Sequence, residues 1–148
     1  MKIWLLLITI LCLLLFPVSC SSPPDAARVT EVIDGDTIII QGGYRVRYIG
    51  IDTPETYPEV EAYGLAAWQL NQELVAGRVV RLERDVSQSD KYGRLLRYVY
   101  VDDIMVNAEL VKQGLAQAIA YPPDTAYQDY FTELEQEAKR AGRGMWAD

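Results

Sequence analysis

Between Arg28 and Ile51, three runs rich in β-branched and aromatic residues are separated by nothing longer than a tight turn. Arg28–Ile33 meets Asp34-Gly35, Thr37–Gln41 meets Gly42-Gly43, and Tyr44–Ile51 alternates Tyr44, Val46 and Tyr48 with Arg45 and Arg47. Asp-Gly and Gly-Gly favour hairpin turns, and alternation at period two marks a strand with one buried face. The segment therefore predicts a three-stranded meander. Both cysteines, Cys12 and Cys20, fall in the first twenty residues, so no disulfide braces the rest and the fold stands on its core alone. At 148 residues, half of them hydrophobic and 24% charged, the chain has room for one ordinary domain and is too apolar for disorder.

Downstream, Pro54 and Pro58 make Asp52–Glu61 a loop. Tyr63, Ala67, Leu70 and Leu74 share one helical face, with Gly77 placed to end the helix. Val79–Val86 reads as a fourth strand, Ser87–Arg94 as a turn, and Leu95–Val101 as a fifth strand bounded by Asp102-Asp103. Val106, Leu110 and Val111 stripe a short second helix ended by Gly114. Thr125 and Gln128 have capping-box spacing before a third, lined by Tyr127, Tyr130, Phe131, Leu134, Ala138 and Ala141 and closed by Gly142. Five short strands with a helix after the third and helices at the end predict an α+β domain over 28–148: a five-stranded Greek-key β-barrel of the OB type with three α-helices.

The chain starts differently. Lys2, an apolar run from Ile3 to Phe16, Pro17 and small residues predict a signal peptide over 1–19, the alternative being a retained N-terminal anchor; either way the domain is exported. Pro17-Val18-Ser19-Cys20 resembles the lipobox of bacterial lipoproteins, with proline where leucine is usual. That resemblance implies a lipid on Cys20 and, through Ser21, Ser22, Pro23 and Pro24, a tether over 20–27. It places the domain on the outer side of the cytoplasmic membrane, or in the periplasm or outer membrane.

Histidine is absent, which excludes His bases, His zinc ligands and every Ser-His-Asp arrangement. Chemistry must come from carboxylates, arginines, hydroxyls or amides. Asp36 follows the first turn, Arg47 lies in the third strand, Asp52, Thr53 and Glu55 cluster just after it, and Arg94 follows Asp90-Lys91-Tyr92-Gly93. In a small barrel such strand ends converge on one rim. Asp36 and Asp52 suit a hard cation such as Ca²⁺, which takes oxygen ligands and here leaves room for water and substrate. Glu55 is placed to take a proton from water, and Arg47 and Arg94 to grip a phosphate. Phosphodiester hydrolysis needs those parts and no histidine. The counter-argument is charge: 14 basic against 21 acidic residues give −7, and the only net positive stretch runs from Arg78 to Arg97.

Val32-Ile33-Asp34-Gly35-Asp36-Thr37, Arg47, Asp52-Thr53-Pro54-Glu55-Thr56, Asp90-Lys91-Tyr92-Gly93-Arg94, Val106-Asn107, Gly114-Leu115-Ala116 and Gly144-Met145-Trp146 together resemble the staphylococcal nuclease (thermonuclease) family. The resemblance implies Ca²⁺-dependent hydrolysis of DNA and/or RNA that leaves 3′-phosphate ends. It implies calcium on Asp36, Asp52 and the Thr53 carbonyl, Glu55 as general base, Arg47 and Arg94 on the phosphate, and Lys91 and Tyr92 on a neighbouring phosphate. Tyr121 stands in the region where the family stacks bases, with packing on the third helix as the alternative. Glu59 and Glu61 replace a lysine-rich loop of the family's type member. A monomer is expected. The rival reading is a non-catalytic, membrane-tethered OB module that binds nucleic acid or a protein partner; the intact acids and arginines argue for the enzyme.

Two features of the third strand conflict. Arg47 and Asp52 are five residues apart, so strict alternation puts them on opposite faces, and Gly50 is where a bulge or bend would reset the parity.

Overall fold

The computed structural model describes residues 22–147, so the expected signal peptide and Cys20 lie outside the described residues. The chain forms β1 (Ala26–Val32), β2 (Thr37–Ile40), β3 (Tyr44–Tyr48), β4 (Ile51–Asp52), α1 (Gly64–Val75), β5 (Val79–Glu83) and β6 (Leu95–Val101). These are followed by β7 (Ile104–Met105), α2 (Val106–Lys112), β8 (Gln117–Ala118), α3 (Gln128–Arg140) and a 3₁₀ turn at Gly144–Trp146. The long strands run in the order β3-β2-β1-β5-β6, and β3 also pairs with β6, closing a five-stranded barrel. The closing pair is parallel, with Val46 opposite Leu95 and Tyr48 opposite Arg97, whereas its neighbours are antiparallel. This is the expected OB barrel with three α-helices.

β1 starts at Ala26, two residues before the expected Arg28, because Ala26–Arg28 pair with β5. Its other half pairs with β2, and the register shifts between Val29 and Glu31. That irregularity bends one strand so that it serves both sides of the barrel. β5 stops at Glu83 rather than Val86. The short strands β7 and β8 were not expected; two residues give no period to read.

The helices correct three further expectations. On α1 the buried positions are Gly64, Ala67, Asn71 and Val75, while Tyr63 is exposed and Leu70 and Leu74 are only partly covered. The face is rotated because Asn71 is buried with partners: it accepts from the Tyr48 hydroxyl at 2.8 Å and donates to the Asp34 carbonyl at 3.0 Å. On α3, Phe131, Leu134 and Ala138 are buried but Tyr130 and Ala141 are exposed. No capping box forms there; Tyr127 is the N-cap without a side-chain bond, and Thr125 contributes only its carbonyl. Phe131 and the T-shaped pair Tyr98–Tyr127, 4.6 Å between centroids, seal α3 to β6, which is why nearly all of β6 is buried. Each such ring or large aliphatic side chain contributes about 1.5–3 kcal/mol by leaving water.

The third strand breaks at Ile49-Gly50, so it ends at Tyr48 rather than Ile51, and Ile51–Asp52 turns away to pair with β8. Gly50 has φ 76 and a Cβ there would lie 2.9 Å from the Phe131 ring. The groups freed by the break find partners: Asn107 donates to the Ile49 carbonyl at 2.9 Å, and the Ile119 N–H reaches Gly50 O at 3.0 Å. Gly50→Ala is expected to destabilise the domain by about 2 kcal/mol or more, from the left-handed backbone and the collision with Phe131. Urea unfolding measures this; an unchanged midpoint would mean the break does not depend on glycine.

Candidate active site

The break after β3 decides where its side chains go. Arg47, 8% exposed, reaches across it: Nη1 lies 2.8 Å from Asp36 Oδ2 and Nη2 lies 2.7 Å from Asp52 Oδ1. Nη1 also faces the carbonyls of Tyr48 and Ile51, each at 3.1 Å, on either side of the kink. Arg47 and Asp52 therefore meet despite being five apart, the parity being reset at Gly50. One guanidinium joins two carboxylates, one from the turn before β2 and one from β4.

Asp36 is 5% exposed and fully engaged. Its Oδ2 accepts the Thr53 N–H at 3.0 Å and the Thr53 hydroxyl at 3.1 Å, and its Oδ1 accepts the Thr37 hydroxyl at 3.1 Å. α1 holds the turn in place from behind, through Asn71 on the Asp34 carbonyl and Trp68 Nε1 on the Val32 carbonyl at 3.1 Å. Gly35 has no positive φ; it is required by space, since a Cβ would lie 2.6 Å from Thr53 Oγ1 and 2.8 Å from Ala67 Cβ. The expected hairpin turn joins β1 to β2, and its glycine is needed for close approach rather than for a positive φ.

Glu55 sits in the loop between β4 and α1, its N–H donating to Glu61 Oε2 at 2.9 Å and its carbonyl accepting the Glu61 N–H at 2.9 Å. Glu61, one of the acids that replaces the basic loop, therefore holds the backbone of Glu55. The start of α1 rests on that backbone, where a Cβ on Gly64 would come within 2.4 Å of Glu55 O. Burial, followed by the negative charges of Asp34 and Asp52, raises the Glu55 carboxyl above the usual range, against the lowering influence of Arg47.

Arg94 follows a turn organised by Asp90, which accepts the N–H groups of Tyr92 at 2.9 Å and Arg94 at 3.0 Å and pairs with Arg94 Nε at 2.7 Å. Burial pushes Asp90 up, but those bonds and the Arg94 charge outweigh it and hold it below the ordinary range. Arg94 and Tyr92 line a cleft of about 250 Å³ with Ile33, Asp34, Thr37 and Arg45. Thr37 connects this cleft to Asp36, so the two parts adjoin. Tyr92 is 72% exposed, with the Arg94 guanidinium 5.5 Å and the Lys91 ammonium 5.0 Å from its ring. Tyr121 does not line the cleft; it packs half-buried against the core.

Asp34 and Arg45 escaped the sequence reading. Asp34 is a turn residue whose Oδ1 accepts the Asp36 N–H at 3.0 Å, but it also lines the cleft and its charge acts on Asp36 and Glu55. Arg45 lies two residues before Arg47 on the same face, a signal that the period-two alternation contained.

Among the described residues no three acids stand close enough to form a ready-made metal cage. The donors nevertheless suit a hard divalent ion: Asp36 and Asp52 offer carboxylates on one guanidinium, Asp52 is more than half exposed, and all candidate ligands are oxygens. Burial above all, with Asp34 and Asp52 adding to it, raises the proton affinity of Asp36 despite Arg47 and the Thr53 N–H. The part of that rise due to the Asp34 and Asp52 charges is what a bound cation would offset.

That shift has a sign. A carboxyl whose folded pKa is raised binds more protons folded than unfolded, so its contribution to stability is full below the unfolded value and is lost as pH rises through the folded one. In chelator, the stability of Asp36→Asn relative to the parent chain is expected to improve as pH rises from about 4 to about 8. Thermal melts across that range check it; a parent chain that gains on the variant would reverse the assignment.

Comparison with known proteins follows the geometry. A family model described as Staphylococcal nuclease homologue matches residues 45–148, a stretch that takes in Arg47, Asp52, Thr53, Glu55 and Arg94 and starts after Asp36. The chain is similar to the thermonuclease of Staphylococcus intermedius, 44% identical over 124 residues that cover 80% of this chain and 74% of that protein. It is similar to the thermonuclease of Staphylococcus hyicus, 37% identical over 127 residues, 82% and 75% of the two chains. Endonuclease YncB of Bacillus subtilis (strain 168) is 47% identical over 125 residues, 79% of this chain and 59% of its own.

Proposed function

This chain belongs to the staphylococcal nuclease family, and from that premise we propose that it is a calcium-dependent nuclease that hydrolyses DNA and/or RNA with water as nucleophile and leaves 3′-phosphate ends. The observation that carries the reading is the buried Arg47 guanidinium joining Asp36 and Asp52, with Glu55 and the Arg94 cleft beside them. Asp36, Asp52 and the Thr53 carbonyl would hold the ion, whose chemistry is to polarise a phosphoryl oxygen.

The remaining work falls to side chains. Glu55 accepts a proton from the attacking water, and its raised proton affinity suits that task nearer neutral pH. As the water oxygen bonds to phosphorus, the P–O5′ bond breaks, the departing O5′ takes a proton from solvent to become a hydroxyl, and the phosphate stays on the 3′ carbon. Arg47 sets a buried positive charge at the junction of the two acids, and Arg94 brings a second from the adjoining cleft, so charge growing on phosphate oxygens meets fixed guanidiniums. Asp90 orients Arg94, and exposed Tyr92 with Lys91 receives the neighbouring nucleotide.

The domain acts, in this reading, as an exported monomer anchored through a lipid on Cys20, supported by Pro17-Val18-Ser19-Cys20 and the Ser-Pro stretch after it. No helix among the described residues is long and apolar enough to cross a membrane.

Cleavage of single-stranded DNA and of RNA is expected with calcium and not with chelator. Glu55→Gln should retain the far-UV spectrum while losing about 10²–10⁴-fold in rate, the usual worth of a general base. Wild-type rates in Glu55→Gln would remove Glu55 from that role. Calcium-independent cutting would overturn the metal assignment, and no cutting at all would favour the tethered binding module.

A further inference from the structure

Away from the cleft, a second cavity of about 390 Å³ is lined by Ser22, Pro23, Asp25, Arg84, Gln88 and Arg97. Arg97 is 3% exposed. Its guanidinium donates only to neutral oxygens: the Gln88 carbonyl at 3.0 Å, the Leu96 carbonyl, and Gln88 Oε1 at 3.2 Å. Arg84 points at that same Gln88 Oε1 from 3.4 Å. Two guanidiniums thus converge on one uncharged amide oxygen. Among the described residues no carboxylate lies within 4.0 Å of either.

A buried arginine ordinarily has a carboxylate partner, because taking its charge out of water is costly. Here burial and the Arg84 charge both press the Arg97 guanidinium toward lower proton affinity, with Asp25 opposing them from the cavity wall. The lining carries two positive charges against one negative. The missing element is a second anion, small enough for the cavity and able to accept several N–H donors at once. A tetrahedral phosphate meets that description, and arginine is the side chain that binds it by paired hydrogen bonds.

We propose that this cavity is a binding site for a phosphate group, distinct from the hydrolytic cleft and formed by Arg84 and Arg97 with Gln88 and the Ser22–Asp25 segment. Free phosphate and the phosphate of a lipid headgroup present the same chemistry. The second source is close at hand if Cys20 is lipidated, since Ser22 and Pro23 follow it directly. Asp25 limits affinity by its charge, while its carbonyl, accepting the Leu82 N–H at 2.7 Å, fixes the segment to the barrel.

The test uses the full chain in dodecyl maltoside micelles, which carry no phosphate, at constant ionic strength and reads the Nε–Hε resonance of Arg97. One arm titrates inorganic phosphate, and the other titrates phosphatidylglycerol into the micelles. A saturable shift is expected in at least one arm: phosphate alone assigns the site to the free ion, and phosphatidylglycerol assigns it to a headgroup. Arg84→Gln should weaken binding about tenfold, the loss of one charge-assisted contact, and Asp25→Asn should tighten it. No saturable shift in either arm, or a shift that Arg84→Gln leaves intact, overturns the proposal. A parallel loss of DNA cleavage in Arg84→Gln would also overturn it, because the cavity would then serve the substrate.

Discussion

The arrangement of this domain depends on a buried guanidinium that has no business in a barrel wall unless carboxylates meet it. Arg47 contacts Asp36 from the turn before β2 and Asp52 from β4, and takes up two carbonyls flanking the break between β3 and β4. Removing both acids would leave the guanidinium buried without a counter-charge, a change that typically costs about 3–5 kcal/mol, so the contact constrains both segments. Everything around it serves to keep the two acids there. Gly50 redirects the chain, Asn107 and Ile119 satisfy the groups that the kink frees, and α1 clamps the Asp34–Asp36 turn through Asn71 and Trp68.

Charge is divided more finely than the net value suggests. The acidic residues Asp34, Asp36, Asp52 and Glu55 crowd one end of the barrel around Arg47, where burial and the charges of Asp34 and Asp52 raise the proton affinity of Asp36 and Glu55 and the oxygens suit a divalent ion. The basic stretch from Arg78 to Arg97 splits in two. Arg94 lines the cleft beside that end with Tyr92, against whose ring Lys91 lies, while Arg84 and Arg97 face a separate cavity. An acidic protein can therefore present local positive potential to a phosphate while its overall field gives a polyanion little long-range attraction.

What could be read from the chain followed the strength of local signals. The barrel strands were legible because β-branched runs stop at Asp-Gly and Gly-Gly, and Leu95–Val101 was found at its observed bounds. The site was legible as a set because Asp36, Arg47, Asp52, Glu55 and Arg94 all sit at or beside strand ends, although only the fold could show that Arg47 touches both aspartates. The failures share a cause: a buried polar residue with a partner looks like surface. Asn71 rotated the apparent face of α1, Asp34 looked like a turn, and Arg97 gave no sign that it is buried. Tyr121 kept two readings open, since an aromatic residue carries no mark in the sequence that separates stacking from packing.

The central claim is that Asp36 and Asp52, brought together on Arg47, act as one site. Calcium binding measured by calorimetry for the parent chain, Asp36→Asn, Asp52→Asn and the double variant tests it most directly. Acids that share one ion should give a strongly non-additive cycle, with either single change costing nearly as much affinity as both together. Strictly additive losses, or calcium binding that survives in the double variant, would contradict it.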